Sequence, residues 1–142
     1  MSIIFSRQCE YALQAVLYLA RKPEKEMTSI REMTEKLQIP YFFLAKILQN
    51  LTKKGLLKSL KGPSGGFSLA IPSTGITLFK IIEAIDGANF ANQCVLGFSE
   101  CSGTTPCSMH EEWQKARDGV VKLLTEKTID QLSDKMKKPQ YQ

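Results

Sequence analysis

The chain has little of what an enzyme, a membrane protein or an exported protein needs. Among its 142 residues there is one histidine, His110, and one tryptophan, Trp113. There is no nucleotide-binding glycine motif and no nucleophile elbow, and the carboxylates are scattered, so the chain reads as a non-enzyme. No apolar run approaches the roughly eighteen residues that a membrane span needs, and Tyr11 to Ala20 reads as a short buried helix. Arg7 and Glu10 interrupt the N-terminal apolar stretch, which argues against an export signal. There are only four cysteines. With no export signal, the expected compartment is the reducing cytoplasm, where clustered cysteines are more often ligands or redox groups than disulfides. Acidic residues are absent from Lys36 to Ile82, a stretch that holds seven lysines.

That absence matters more than the net charge of +5. Residues 1–72 carry 11 Lys/Arg against 5 Glu, a balance of +6, while residues 73–142 carry 8 against 9, a balance of −1. One-sided charge of this kind is the footprint of a nucleic-acid surface, although a solvated basic face looks the same by charge alone. Local pattern separates the two.

Arg7 to Arg21 is apolar on nearly every side, as a helix packed between other elements is, and Pro23 stops it. Ser29-Ile30-Arg31-Glu32 is a capping-box pattern, with Ser29 as N-cap and Glu32 reaching back. Gln38-Ile39-Pro40 makes a tight turn. A third helix is expected from about Tyr41 to Lys54, with Leu44, Ile47, Leu48 and Leu51 on one side and Gly55 as its left-handed cap. Two short helices joined by a tight turn, the second with a basic outer face, form a helix-turn-helix. Its outward residues would be Tyr41, Phe42, Ala45, Lys46, Gln49, Asn50 and Lys53. For Tyr41 and Phe42, core packing is the competing reading, and Phe42 is suited to a thymine methyl. Next come Leu56 to Lys61, the turn-rich Gly62-Pro63-Ser64-Gly65-Gly66, and Phe67 to Ile71, which together read as a hairpin and hence as a wing. The candidate DNA contacts are Arg7, Ser29, Tyr41, Phe42, Lys46, Gln49, Lys53, Lys61, Ser64 and Gly65.

Cys94, Cys101, Cys107 and His110 lie within seventeen positions in a loop rich in Gly, Ser and Thr. Soft sulfur donors with one imidazole suggest a metal or an iron–sulfur cluster. A tetrahedral zinc site is the alternative, but its favoured Cys-x2-4-Cys pairs are missing. Ser108-Met109-His110-Glu111 reads as a second capping box with Ser108 as N-cap. The positive end of that helix would favour anionic sulfur ligands and a neutral, ligating His110. Met109, Trp113, Ala116, Val120 and Leu123 form a heptad-like stripe, read as a dimer helix in preference to packing within the chain. Thr128 to Met136 reads as a short terminal helix, and 137–142 as a frayed tail.

Several segments resemble the winged-helix bacterial regulators typified by IscR and NsrR. These are Phe5-Ser6-Arg7-Gln8-Cys9-Glu10-Tyr11-Ala12-Leu13, Ile39-Pro40-Tyr41-Phe42-Phe43-Leu44, Lys54-Gly55-Leu56-Leu57 and, most specifically, Lys61-Gly62-Pro63-Ser64-Gly65-Gly66-Phe67. The likeness continues through Ile81-Ile82-Glu83-Ala84-Ile85-Asp86-Gly87 to the three cysteines, spanning about residues 3–133. It implies a homodimeric regulator whose Cys94, Cys101 and Cys107 hold an iron–sulfur cluster, although the gap between Cys94 and Cys101 is about one residue longer than the family's. For the fourth ligand, His110 matches the IscR-like position, and Glu10 matches the NsrR-like N-terminal carboxylate that the partner chain supplies. Cys9 is a weaker candidate, better read as a small packed residue. His110 is preferred, and with it a [2Fe–2S] over a [4Fe–4S] cluster. The expected fold is mainly α with a small β-hairpin. A winged helix-turn-helix over 1–75 is followed over 76–142 by the cysteine loop (94–107) and a long C-terminal dimerisation helix. The expected partners are double-stranded operator DNA and a second copy, with RNA polymerase engaged only indirectly and no membrane. The alternatives are a zinc-stabilised DNA-binding module and a cluster-free thiol-redox regulator.

Overall fold

The computed structural model describes residues 5–88 and 92–135. Helix α1 spans Arg7–Ala20, capped by the Ser6 hydroxyl, which accepts from the Cys9 N–H at 3.1 Å. It buries Ala12, Ala15, Val16 and Leu19 and ends just before Pro23. Helix α2 (Ile30–Leu37) starts at Ser29, whose hydroxyl accepts from the Glu32 N–H at 3.1 Å. The expected second half of that capping box does not form. Glu32 instead accepts from the Tyr18 hydroxyl at 2.5 Å and pairs with Lys22 at 2.5 Å, tying α2 to the end of α1. Two nearby donors, one of them charged, outcompete a single backbone N–H.

Gln38 takes the left-handed conformation (φ 58°) that ends α2 and turns the chain into α3, Tyr41–Lys53. Leu44, Ile47, Leu48 and Leu51 form the buried side of α3, and Gly55 follows at φ 83°. Strands β1 (Leu57–Leu60) and β2 (Gly66–Leu69) pair antiparallel, with Leu57 opposite Leu69 and Leu60 opposite Gly66. Thr28 and Phe67 exchange backbone hydrogen bonds at 2.9 and 2.8 Å, so the hairpin is fastened to the residue just before the α2 cap.

Helix α4 (Leu78–Asp86) is capped by Thr77, α5 runs His110–Glu126 and α6 runs Ile129–Lys135. Met136 and the 137–142 tail lie outside the described residues. The main core joins Val16, Met33, Leu37, Leu48 and Leu51 to Ile76, Ile81 and Ile129, so packing runs continuously across residue 75. A smaller cluster of Cys9, Ile82 and Leu124 links α1, α4 and α5. The Ser6 N–H and hydroxyl both donate to the Asp86 carboxylate, at 2.9 and 2.5 Å, clasping the start of α1 to the end of α4.

One expectation for α5 needs correction. Its cap position is Met109, with no side-chain cap, so Ser108 does not act as N-cap. The Cys107 carbonyl accepts from the His110 N–H at 3.2 Å, which places Ser108 inside a turn. The expected stripe divides. Trp113 and Val120 are half-buried by the rest of the chain, whereas Met109, Ala116 and Leu123 are exposed. Leu124 is the one buried residue of α5. No described helix is long and apolar enough to cross a membrane.

Candidate functional site

The outer side of α3 carries a single stripe. Phe42, Lys46, Gln49 and Lys53 follow one another at i, i+4, i+7 and i+11, and all four are exposed. Core packing for Tyr41 and Phe42 is excluded, since they are 50% and 84% exposed. Phe43, not among the expected outward residues, is also half-exposed.

A groove of about 560 Å³ lies between α3, the start of α2 and the wing, lined by Ser29, Gln49, Lys53, Lys61 and Gly65 among others. Glycine is required along its edge. A Cβ on Gly66 would lie 2.2 Å from the Thr28 carbonyl oxygen, and one on Gly65 would lie 2.0 Å from the Leu60 carbonyl oxygen. Ser64 is exposed at the tip, outside the groove lining. Arg7 stands at the start of α1, away from the groove, 3.8 Å from Glu10 and over the Tyr11 ring.

The second candidate site is the cysteine loop. The sulfurs of Cys94, Cys101 and Cys107 all lie within 4.8 Å of one another. Cys94 and Cys107 approach to 3.5 Å. A sulfur tetrahedron around an ion at zinc–thiolate bond length has edges of about 3.8 Å, so the spacing suits soft-metal ligation. The His110 Nδ1 lies 3.1 Å from the Cys101 sulfur but is not part of the mutual set. Glu10, paired with Arg7 on α1, is not part of it either.

The loop is short of regular structure, so side chains of α5 hold it. Trp113 Nε1 and an Arg117 guanidinium N–H both donate to the Gln93 carbonyl, at 2.8 and 3.2 Å. These bonds fix the residue preceding Cys94. Arg117 also lines the 250 Å³ pocket that holds the three cysteines and His110. Its Nε is buried with no partner among the described residues. A cationic wall with an unsatisfied donor beside three thiols suits an anionic thiolate centre. The donor set therefore fits a soft metal or an iron–sulfur cluster.

Three of the thiols differ in character. Burial pushes the Cys9 thiol up to about 12, with the negative charges of Asp86 and Glu10 adding to the effect. At Cys94 desolvation acts upward. Hydrogen bonds from the Phe98 and Leu96 N–H groups and from the other two thiols outweigh it and bring the group down to about 7. Cys107 is raised by desolvation, which the Met109 N–H opposes and the neighbouring cysteines reinforce.

A family model described as Rrf2, an iron-dependent transcriptional regulator, matches residues 5–135. An Aquifex aeolicus protein that carries an HTH-type transcriptional regulator name is 36% identical over 132 residues, covering 92% of this chain and 91% of that protein. Among solved structures, the Bacillus subtilis global cysteine regulator CymR superposes with a TM-score of 0.79 at 24% identity. It covers 94% of this chain and 98% of CymR, and at that identity the likeness concerns the fold. The T. potens IscR structure superposes with a TM-score of 0.71 at 26% identity, covering 94% of this chain and 89% of that one.

Proposed function

The chain belongs to the Rrf2 family of iron-dependent transcriptional regulators, and from that premise we propose that it is a cytoplasmic homodimer whose operator binding is controlled by an iron–sulfur cluster. It is a transcriptional regulator of the winged-helix kind and not an enzyme. The observation that carries the cluster reading is the convergence of three loop sulfurs within 4.8 Å. Cys94, Cys101 and Cys107 would hold the cluster, with His110 as the fourth ligand because its ring already meets the Cys101 sulfur. That choice goes with [2Fe–2S]. Glu10 from the partner chain and a [4Fe–4S] cluster form the less favoured version.

When bound, the cluster would supply a group that iron limitation, oxidants or nitric oxide can remove or alter. The chain's own residues would carry the change onward. Helix α4, which precedes the loop in the chain, ends at Asp86, whose carboxylate clasps Ser6 at the start of α1. The loop enters α5 directly at His110. Residues 1–75 would then act as the DNA-binding head, and 76–142 as the cysteine loop and dimerisation helices. Regulation of this kind requires that the cluster bind the DNA-competent and incompetent arrangements with different affinity. The head would read DNA through Tyr41, Phe42, Lys46, Gln49 and Lys53 of α3. Ser29, Lys61, Ser64 and Gly65 would contact phosphates at the groove and wing, and Arg7 would contact the flanking backbone.

The test is anaerobic isolation followed by iron, sulfide and zinc analysis. Brown protein with iron and sulfide supports the cluster, and colourless protein with tightly held zinc defeats it. A Cys101→Ala protein that lacks the cluster yet binds its operator with unchanged affinity and preference would sink the coupling. Lys46→Ala and Lys61→Ala, each present in both copies of the dimer, should each reduce the slope of log affinity against log salt by about 1.8. An unchanged slope would remove that lysine from the interface.

One observation favours a second reading, a cluster-free thiol-redox regulator. Cys94 and Cys107 lie 3.5 Å apart, and the Cys94 thiol is lowered to about 7. A metal-free, folded protein whose DNA binding follows the redox state of the two thiols would establish it.

A further inference from the structure

The first turn of α3 bears three exposed aromatic rings that the core does not use. Phe42 is the most exposed at 84%, with Tyr41 at 50% and Phe43 at 51%. The Tyr41 ring stands edge-on to Phe42, centroids 5.6 Å apart and planes at 89°, an arrangement that holds the phenyl outward. Phe42 also heads the stripe that continues through Lys46, Gln49 and Lys53. Three exposed rings within one helical turn mark a contact surface. The lysines beside it, and the lack of any acidic residue from Lys36 to Ile82, match that surface to a polyanion.

The N-terminal residues of a recognition helix are the ones that meet base edges in the major groove. A phenyl ring has no donor or acceptor, so the polar code of the bases is invisible to it. The apolar group that the groove offers is the thymine 5-methyl. We infer that Phe42 makes this protein select thymine at a fixed position of its binding site by packing on the 5-methyl group. The inference rests on the reading of α3 as the DNA-facing helix, and the experiment separates the two.

The full-length protein, isolated anaerobically, is used to select duplexes from a pool of random sequence. The recovered duplex is then made with each thymine replaced in turn by deoxyuridine, which keeps base pairing and removes only the methyl. At one position in the site, the wild-type protein should bind the uracil duplex about fourfold more weakly, the size expected for one buried methyl. Phe42→Ala should bind both duplexes alike, with an unchanged melting temperature because the ring lies outside the core. Phe42→Leu should keep part of the preference.

Three results would overturn the inference while leaving α3 on DNA. One is a wild type that distinguishes thymine from uracil at no position. Another is a Phe42→Ala protein that keeps the full thymine preference, whatever its overall affinity. The third is a substitution that changes the oligomeric state and leaves sequence preference intact, making the ring a contact between copies. If the wild-type protein selects no duplex at all, the DNA-facing reading falls, and the inference with it.

Discussion

Cys9 and Cys94 are the same residue type in one fold, and their surroundings drive them apart. Cys9 is fully buried in the small cluster joining α1, α4 and α5, with its thiol pushed up to about 12, while Cys94 is brought down to about 7 by hydrogen bonds to its sulfur. In metal-free native protein, Cys94 should alkylate first, at a rate that climbs as pH rises through about 7. Cys9 should stay unmodified until the chain is denatured, as peptide mass spectrometry would reveal. Glu32 offers a second case. Its hydrogen bonds to Lys22 and then to Tyr18 hold its carboxyl below the ordinary carboxylate value. A carboxyl lowered on folding stabilises at neutral pH, and that contribution fades as pH falls through the folded value. Glu32→Ala should destabilise by about 1 kcal/mol or less, once solvent screening at a 36% exposed side chain is discounted. The loss should shrink in acid, and urea unfolding at two pH values measures both. Cys9 as a packed thiol was legible from its place in an apolar helix. The Glu32 partners were not, because Tyr18 and Lys22 sit a helix away in sequence.

Among the elements, the first three helices could be read from the chain because of their punctuation: Ser29 as a cap, Pro23 and Gly55 as stops, and apolar spacing between them. The hairpin was legible from its glycines, but its fastening was not. A single residue, Thr28, makes the bridge to Phe67, and one residue carries no period. Gly66 marks that junction at φ 145°, where any Cβ would meet the Thr28 carbonyl. Gly66→Ala should lower stability by about 1–3 kcal/mol and weaken DNA binding, as denaturant and binding titrations would measure. At the start of α5, the Ser108-x-x-Glu111 pattern misled because a cap residue needs an extended backbone on entry. The turn closed by the Cys107 carbonyl and the His110 N–H precludes that, and it also positions Cys107 among the sulfurs. That the three cysteines converge was legible from their spacing in one loop. The α5 side chains that pin Gln93 were not, since neither Trp113 nor Arg117 belongs to a ligand motif.

For the molecule as a whole, α5 is the long helix that its own chain covers least. Leu124 is its one buried residue, and Met109, Ala116 and Leu123 lie open along one side. If a second copy covers that side, Leu123→Glu should convert dimer to monomer in sedimentation. It should also weaken binding to a two-half-site duplex far more than binding to a single half-site. Removing bound metal with a chelator should loosen the 94–107 loop while α1 to α4 keep their protection in hydrogen exchange, since the main core takes nothing from the loop. The bridge between Thr28 and Phe67 adds a constraint on what any signal can change. The wing is bolted to the backbone just ahead of α2, and α2 passes through the Gln38 turn into α3, so wing and helix pair form a stiff stamp with no wrist. If two copies pair, a change at the loop would move the two stamps relative to each other without recutting the print. Sites selected with and without the signal should therefore share one half-site sequence and differ in the number of base pairs between the halves.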